Sequence, residues 1–219
     1  MDALALFDAV PPLRAALPPN LAASLTHAAE FVELKPGQEL LQVKLPPPRV
    51  AFLSYGFAAY SVGASSSLVD LLPAGRWLAL PFCLNANGAP LSIFALSHAS
   101  VTLLPRDELM RAAYASPRLA LSLALAAADD ARVVATHLAA FREKSAEGRC
   151  AYLLLDLAER VYANSSFECP LDQSALASFA GLSRGTFNRA LRSLEVRQLL
   201  RCERNRYRLL DVDGLKRVE

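Results

Sequence analysis

The sequence predicts an α+β protein in three parts. These are an antiparallel, jelly-roll-like β-roll over residues 1–115, a long helix over 116–144, and a helical domain with a terminal β-hairpin over 145–219. Three observations predict it. Between Phe31 and Pro105 short apolar runs alternate with turn signals, the texture of antiparallel β structure. From Ser116 onward apolar residues recur four and three apart, the spacing of a two-helix seam. From Leu171 a helix, a tight turn at Gly181-Leu182-Ser183, an arginine-studded helix and a basic hairpin follow one another, the order of parts of a winged helix-turn-helix.

In the first part, Val50 to Ser54 and Phe57 to Val62 read as strands joined near Tyr55-Gly56. Leu68 to Leu72 stops at Pro73-Ala74-Gly75, and Leu91 to Leu96 and Val101 to Leu104 follow, the last ended by Pro105. Lys44 to Arg49, with three consecutive prolines, reads as a stiff loop, because proline cannot donate to a sheet ladder. Strands this short and closely spaced close into a sandwich or small barrel. Trp77, Leu80, Phe82, Cys83 and Leu91 are candidate lining for an apolar effector pocket, and they can equally pack on one another, the commoner fate of such side chains.

In the second part, Ser116 caps and Pro117 takes a first-turn position, a strong helix start. Ala120, Ala124, Ala127, Ala131, Val134, Leu138 and Phe141 form the expected seam, its early positions all alanine so that two backbones can approach closely. The stripe can also pack on its own chain. Ser145-Ala146-Glu147-Gly148 is the expected hinge, with Gly148 its pivot, and Arg149 to Val161 the first helix beyond it.

In the third part, Asp172 is placed to cap a helix from Gln173, and Ala175, Leu176, Phe179 and Ala180 give that helix an apolar face. Gly181 ends it. Ser183 caps the next helix, which buries Phe187, Ala190, Leu191 and Leu194 and leaves Arg184, Gly185, Asn188, Arg189 and Arg192 toward the other side. A helix that reads a major groove needs this division between an anchoring stripe and a reading stripe. Arg184 and Arg189 suit bidentate contacts to guanine, with Asn188 and Gly185 also against base edges. Gln173, Ser183, Thr186 and Arg192, with Arg204 and Arg206 of the charged turn Glu203 to Arg206, suit phosphate. Arginines dominate the stretch from Arg184 to Arg208 while the whole chain carries only +2, so the charge is local.

Composition bounds the rest. With 53% hydrophobic residues over 219, the chain can bury a core and is no disordered tail. Asp2 and Asp8 interrupt the apolar start, so no signal peptide is expected, and Leu119 to Ala128 is too short to cross a bilayer. Cys83, Cys150, Cys169 and Cys202 are scattered without metal-ligand spacing, which with the lack of an export signal predicts reduced thiols and a cytoplasmic, non-membrane protein. His27, His98 and His137 show no haem spacing. Cys83 would sense redox state only if exposed and acidic. No metal site is expected.

The runs GLSRGTFNRALRSLE (Gly181 to Glu195) and LLRCERNRYRLLDVDGL (Leu199 to Leu215) resemble the C-terminal domain of the Crp/Fnr family of bacterial transcription regulators. Ser183, Arg184, Thr186 and Arg189 match the family's recognition-helix pattern, whereas Gly185 stands where the family often has an acidic residue. The resemblance implies a homodimer on a palindromic operator in double-stranded DNA, contact with RNA polymerase, and a cupin-like sensor roll. It is weaker in the roll, where Pro36-Gly37 and Pro73-Ala74-Gly75 fall at turns that carry glycine in the family. Ala79-Leu80 and Leu91-Ser92 stand where cyclic-nucleotide members have Gly-Glu and Arg-Ser. An anionic phosphate needs a cationic or amide-rich cradle, so cAMP is not expected to bind unless Arg76 or Arg49 substitutes. The iron–sulfur branch uses clustered N-terminal cysteines, and none precedes Cys83. No cofactor is assigned; haem or a small apolar ligand stays open.

The expected function is sequence-specific, non-enzymatic transcription regulation under a signal other than cAMP. One alternative is a constitutive DNA binder whose roll is structural or contacts protein partners. A metal-dependent roll enzyme is disfavoured, because the stretch Phe31 to Pro105 holds only His98 among histidines and few carboxylates.

Overall fold

The computed structural model describes residues 6–7, 10–17, 19–43, 48–62, 67–78, 80–84 and 91–219. Most of the proline loop (residues 44–47) and Ala79 lie outside the described residues, as does the side chain of Leu91. The chain divides into two compact units, residues 1–66 with 71–133 and residues 67–70 with 134–219. The division falls inside the long helix.

The N-terminal unit carries α1 (Pro11–Ala16) and α2 (Pro19–Ala28) ahead of its strands. Among the described residues the strands that follow are β1 (Glu30–Leu34), β2 (Glu39–Val43), β3 (Arg49–Tyr55), β4 (Phe57–Val62), β5 (Ser67–Pro73), β6 (Arg76–Leu78), β7 (Leu91–Ala95) and β8 (Ala99–Pro105). They form two four-stranded sheets, ordered β1-β8-β3-β6 and β2-β7-β4-β5. The described pairings are antiparallel. The first four residues of β5 group with the C-terminal unit.

The strands read from the sequence are present, and β1, β2 and β6 join them. β1 was not legible because its Glu-Phe-Val-Glu-Leu pattern buries only Leu34; pairing along β8 makes it a strand. β6 has three residues, too few for periodicity, and is fixed by pairing with β3. Gly56 turns β3 into β4 with φ +88°, and a Cβ there would stand 2.3 Å from the His98 carbonyl oxygen. Glycine is therefore obligatory on both conformational and steric grounds.

Short α3 (Leu80–Leu84) follows β6, and α4 (Arg106–Ala115) leads into α5 (Pro117–Glu143). α1, α2, α4 and the start of α5 enclose one apolar cluster that includes Leu13, Leu25, Phe52, Trp77, Leu109 and Leu119. Ser116 Oγ accepts from the Leu119 amide at 3.3 Å and donates to the Ala16 carbonyl at 2.7 Å, so the cap of α5 also ties it to α1.

The C-terminal unit holds the second half of α5, then α6 (Ala146–Asp156), which runs into a π-helical turn over Leu157–Val161. β9 (Ser166–Glu168), α7 (Gln173–Phe179), α8 (Arg184–Val196), β10 (Leu200–Glu203), β11 (Arg206–Leu209) and α9 (Val212–Lys216) complete it. Its helix starts are capped by side chains: Ser145 accepts from the Gly148 amide, Asp172 from Ala175, Ser183 from Thr186 and Asp211 from Gly214. The chain breaks helical conformation at Ser145. Gly148 lies buried inside α6, where a Cβ would meet the Glu219 main chain at 2.6 Å. Close packing accounts for this glycine.

Candidate nucleic-acid interface

α7, the turn and α8 place the reading face. Asp172 Oδ1 accepts from the Ala175 amide at 2.8 Å and starts α7 at Gln173. Leu176, Ala177 and Phe179 bury its inner face, and Gly181 takes φ +66° beyond it. Ser183 Oγ accepts from the Thr186 amide at 3.2 Å and starts α8. Phe187, Ala190, Leu191 and Leu194 of α8 are buried, so Ser183, Arg184, Gly185, Arg189 and Arg192 face outward and Asn188 and Thr186 are half-buried. The division that the sequence implied is the one the fold adopts.

The outward side chains differ in how they are held. Ser183 Oγ and Thr186 Oγ1 lie 2.9 Å apart, and Arg189 Nη2 donates to Thr186 Oγ1 at 3.2 Å. Arg189 is thus laid along the helix before any ligand arrives. Arg184, Arg192 and Arg204 have no acidic partner among the described residues. A cation without a carboxylate neighbour gives up little when it meets phosphate or a base edge.

The wing is β10 and β11 joined at Arg204-Asn205, with Arg204 at φ +57°, and β9 adds a third strand beside β11. Tyr207 is fully buried on β11, flat against Phe167 of β9 at 5.6 Å, and Phe167 stacks on Tyr162 at 4.6 Å. This aromatic stack anchors the hairpin and leaves Arg201, Arg204, Arg206 and Arg208 outside. Two expected phosphate ligands are engaged within the unit. Arg206 pairs with Glu168 at 3.2 Å, and Gln173 donates to Cys202 Sγ at 3.7 Å. Neither contact has a local signal, because β9 is only three residues long and Gln173 meets β10 only through tertiary packing.

The unit also buries a charge network that sequence reasoning missed. Arg160, in the π-helical turn, holds Asp70 with contacts of 2.6 and 3.3 Å and Asp156 with contacts of 2.9 to 3.2 Å. Burial pushes the Asp70 carboxyl above its ordinary range, against the opposing pull of Arg160. Burial acts on Asp156 too, but His137 and Arg160 outweigh it and hold that carboxyl low. His137 Nε2 stands 3.2 Å from Asp156 Oδ2, close enough for a charge pair but without hydrogen-bond alignment. Its ring sits among Phe141, Tyr152 and Phe179 at 5.4 to 5.9 Å. His137 is thus a core residue of this unit. Asp70 lies 90 positions from Arg160, beyond any local pattern, whereas Arg160 and Asp156 are an i,i+4 pair.

Along α5 the expected seam residues divide. Ala120, Ala124, Ala131 and Leu138 are exposed, whereas Ala127 packs against the N-terminal core and Phe141 belongs to the aromatic group around His137. Val134 is half-buried. The apolar surface left open is Leu121, Leu125 and Leu138, each about 60% exposed (60, 63 and 58%), interleaved with exposed Ala120, Ala124, Ala128, Ala131, Ala135 and Ala139.

In the N-terminal unit the candidate pocket residues are packed. Trp77, Leu80 and Cys83 lie in the core cluster, with Trp77 edge-on to Phe52 at 5.1 Å. Phe82 is half-buried and edge-on to Tyr60 at 6.3 Å. Burial pushes the Cys83 thiol up to about 12, the opposite of what a reactive thiol requires. The two arginines that could have replaced the phosphate cradle are both paired. Arg76 meets Asp129 at 2.7 Å and Asp130 at 2.8 Å, and Arg49 meets Glu30. His27 and His98 are exposed. Among the described residues no group of three or more His, Cys, Asp or Glu side chains could hold a metal, and no helix is long and apolar enough to cross a membrane.

Residues 148–218 match the family model of the Crp-like helix-turn-helix domain. Three solved structures share the fold over most of both chains. FixK2 from Bradyrhizobium japonicum is 20% identical with TM-score 0.76, over 87% of this chain and 97% of that one. A putative regulator of the Crp/Fnr family from Eubacterium rectale is 16% identical with TM-score 0.75, over 94% and 98%. A CooA mutant from Carboxydothermus hydrogenoformans is 16% identical with TM-score 0.70, over 88% of each chain. Comparison with curated proteins finds no match.

Proposed function

We propose that the chain is a Crp/Fnr-type transcription regulator that binds DNA through its helix-turn-helix, and that it works as a homodimer reading a palindromic operator under a signal other than cAMP. The observation that carries this reading is the outward stripe of α8, where Arg184 and Arg192 have no acidic partner among the described residues and Arg189 is preset by Thr186. Two such helices about one DNA turn apart, roughly 34 Å, would read two half-sites. The exposed alanine–leucine surface of α5 is the favoured contact between copies, since alanines let backbones approach and Leu121, Leu125 and Leu138 supply apolar area.

The signal is proposed by elimination. With Arg76 and Arg49 each held by carboxylates, an incoming cyclic phosphate would have to displace an ion pair before gaining one. A small apolar ligand or haem would have to open the core around Trp77, and RNA polymerase contact belongs to this reading as a partner at the promoter. A constitutive binder with a structural roll is favoured by one fact, the dense packing of Trp77, Leu80 and Cys83.

The test is selection of bound DNA from a random pool, with and without cell extract, followed by three variants. Arg184→Ala and Arg189→Ala should each weaken the selected site by about 1–3 kcal/mol and relax one base position. Arg204→Ala should weaken all sequences alike and flatten the salt dependence by about one counterion. Equal binding of all three variants to specific and random DNA would refute the assigned surface. An operator bound equally with and without extract favours the constitutive reading.

A further inference from the structure

Residues 217–219 follow α9 and lie against the junction of α5 and α6, inside the C-terminal unit. Lys144 and Ser145 make that junction, since α5 ends at Glu143 and α6 begins at Ala146. Three positions there converge on two residues. Lys144 Nζ donates to the Val218 carbonyl at 3.1 Å. Ser145 Oγ donates to the Glu219 main-chain oxygen while it accepts from the Gly148 amide at 3.1 Å. Gly148 presents bare backbone to the same segment, because a Cβ there would stand 2.6 Å from the Glu219 carbonyl carbon and 2.9 Å from its oxygen. Glycine is among the poorest helix formers, yet it occupies the first turn of α6. Its φ is not positive, so the close approach of Glu219, not backbone conformation, calls for it. Val218 between these contacts is buried.

The segment is also anchored at its other end. Leu215 of α9 is buried, and Lys216 pairs with Glu159 at 2.9 Å. α9 itself follows β11, the second strand of the wing. The chain therefore passes from the wing, through α9, back to the junction. We propose that residues 217–219 are a strap that locks the α5–α6 junction and so holds the helix-turn-helix ready for DNA; the second half of this rests on the dimeric DNA-reading function proposed above. A two-residue non-helical link without the strap would leave α6, and the elements it carries, free to turn about Ser145. Two recognition helices engage a palindrome together only at a fixed spacing, and a loose link would add the cost of ordering to the binding step. The coupling is reciprocal, so DNA held at the wing should tighten the strap on the junction.

The experiment compares the full-length parent, Gly148→Ala, a chain lacking Val218 and Glu219, and the two changes combined. Trypsin cleavage of the native proteins after Lys144 is followed against cleavage after Arg204 in the exposed wing turn, with thermal melts and titration of the operator that the parent selects from a random DNA pool. Truncation should speed cleavage after Lys144, relative to Arg204, by about tenfold or more, because native cleavage reports local opening. Gly148→Ala should speed it too, by displacing the strap without removing a residue, and it decides the matter if the truncated chain does not fold. In the full chain this substitution should lower the melting temperature, although alanine favours helix. In the truncated chain it should cost less, because the main chain at 2.6 Å is gone and Lys144 Cβ at 3.0 Å has only to give by a few tenths of an ångström. Both single changes should weaken operator binding several-fold and leave base preferences unaltered. Unchanged cleavage after Lys144, or an equal melting effect of Gly148→Ala in both chains, would overturn the strap. Faster cleavage with unaltered operator affinity would overturn its control of DNA binding. A parent that selects no operator would remove the DNA-reading function, while cleavage and melting would still decide whether the strap holds the junction.

Discussion

The two units of this chain treat their chemically interesting side chains in opposite ways. In the C-terminal unit the cations that the sequence marks out stay outside the core. Phe187, Ala190, Leu191 and Leu194 hold α8 in place, and Arg184, Arg189 and Arg192 project outward. In the N-terminal unit the marked residues are consumed by the fold. Trp77, Leu80 and Cys83 are core, while Arg76 and Arg49 are bound by Asp129, Asp130 and Glu30. A binding surface for a rigid, highly charged polymer can be spelled out by an amphipathic helix, because one stripe packs while the opposite stripe waits. A pocket cannot be spelled out this way, because the same apolar residues that would line it can close it.

The largest effect should come from the one place where the C-terminal unit breaks its own rule and buries a cation. Arg160→Met leaves Asp70 and Asp156 in the core without their shared guanidinium. Removing one member of a buried charge set typically costs about 3–5 kcal/mol. The variant should lose most of that from its urea-unfolding free energy at neutral pH. The sign of the pH dependence follows. Without Arg160, burial holds the Asp70 carboxyl further above its unfolded value, so the deficit is full above that raised folded value and shrinks as pH falls through it and the carboxyl protonates. A deficit under 1 kcal/mol, or one that deepens on acidification, would mean that Arg160 is solvated and that the network stabilises nothing.

The next effect concerns α5, which contributes to both units. Leu125 is 63% exposed, whereas Ala127, two residues on, packs against the core of its own chain. Leu125→Glu should therefore give a folded monomer by sedimentation, because it places an unpaired charge in the proposed seam and nowhere else. Ala127→Glu should instead lower the melting temperature. Unchanged mass for Leu125→Glu at micromolar concentration would remove this face as the contact between copies.

How far these outcomes were legible beforehand follows the same divide. Asp172, Gly181 and Ser183 could be placed from the sequence because a cap acts within three residues of itself, and each sits where its chemistry demands. The reading face was legible for the same reason, since helical periodicity is local. β1, β6 and β9 were not, because pairing with a distant strand, rather than alternation within the run, makes them strands. The partners of Arg76 lie 53 and 54 residues away and Asp70 lies 90 from Arg160, so no window along the chain contains them. The apolar stripe of α5 was legible as a stripe, but which of its residues stay exposed was not, since packing within the chain decides that.

A smaller effect tests the locality of caps. Ser183→Ala removes the acceptor for the Thr186 amide and also the hydroxyl beside Thr186 Oγ1, which positions Arg189. Loss of such a cap costs roughly 1 kcal/mol. For a unit of this size that is ~4–8 °C in melting temperature. Operator affinity should fall further than stability alone explains, because Arg189 loses the arrangement that presets it. Asp211→Ala, a cap of equal rank at α9 away from the reading face, should cost similar stability and leave affinity unchanged. Equal loss of affinity in both variants would show that Ser183 acts only through helix stability.

The smallest effect separates the thiols. Cys83 is 1% exposed and its thiol is pushed up to about 12, chiefly by burial, so at pH 8 it is almost wholly protonated. Cys202 on β10 is half-exposed, although burial and the neighbouring Glu195 raise it as well. Alkylation of the native protein at pH 8 should therefore modify Cys202 slowly and leave Cys83 untouched until the N-terminal unit unfolds. Rapid labelling of Cys83 in the folded protein would mean that the core around Trp77 opens readily. The N-terminal unit would then keep an accessible site after all, and the contrast between a surface held ready and a pocket packed shut would fail on its second half.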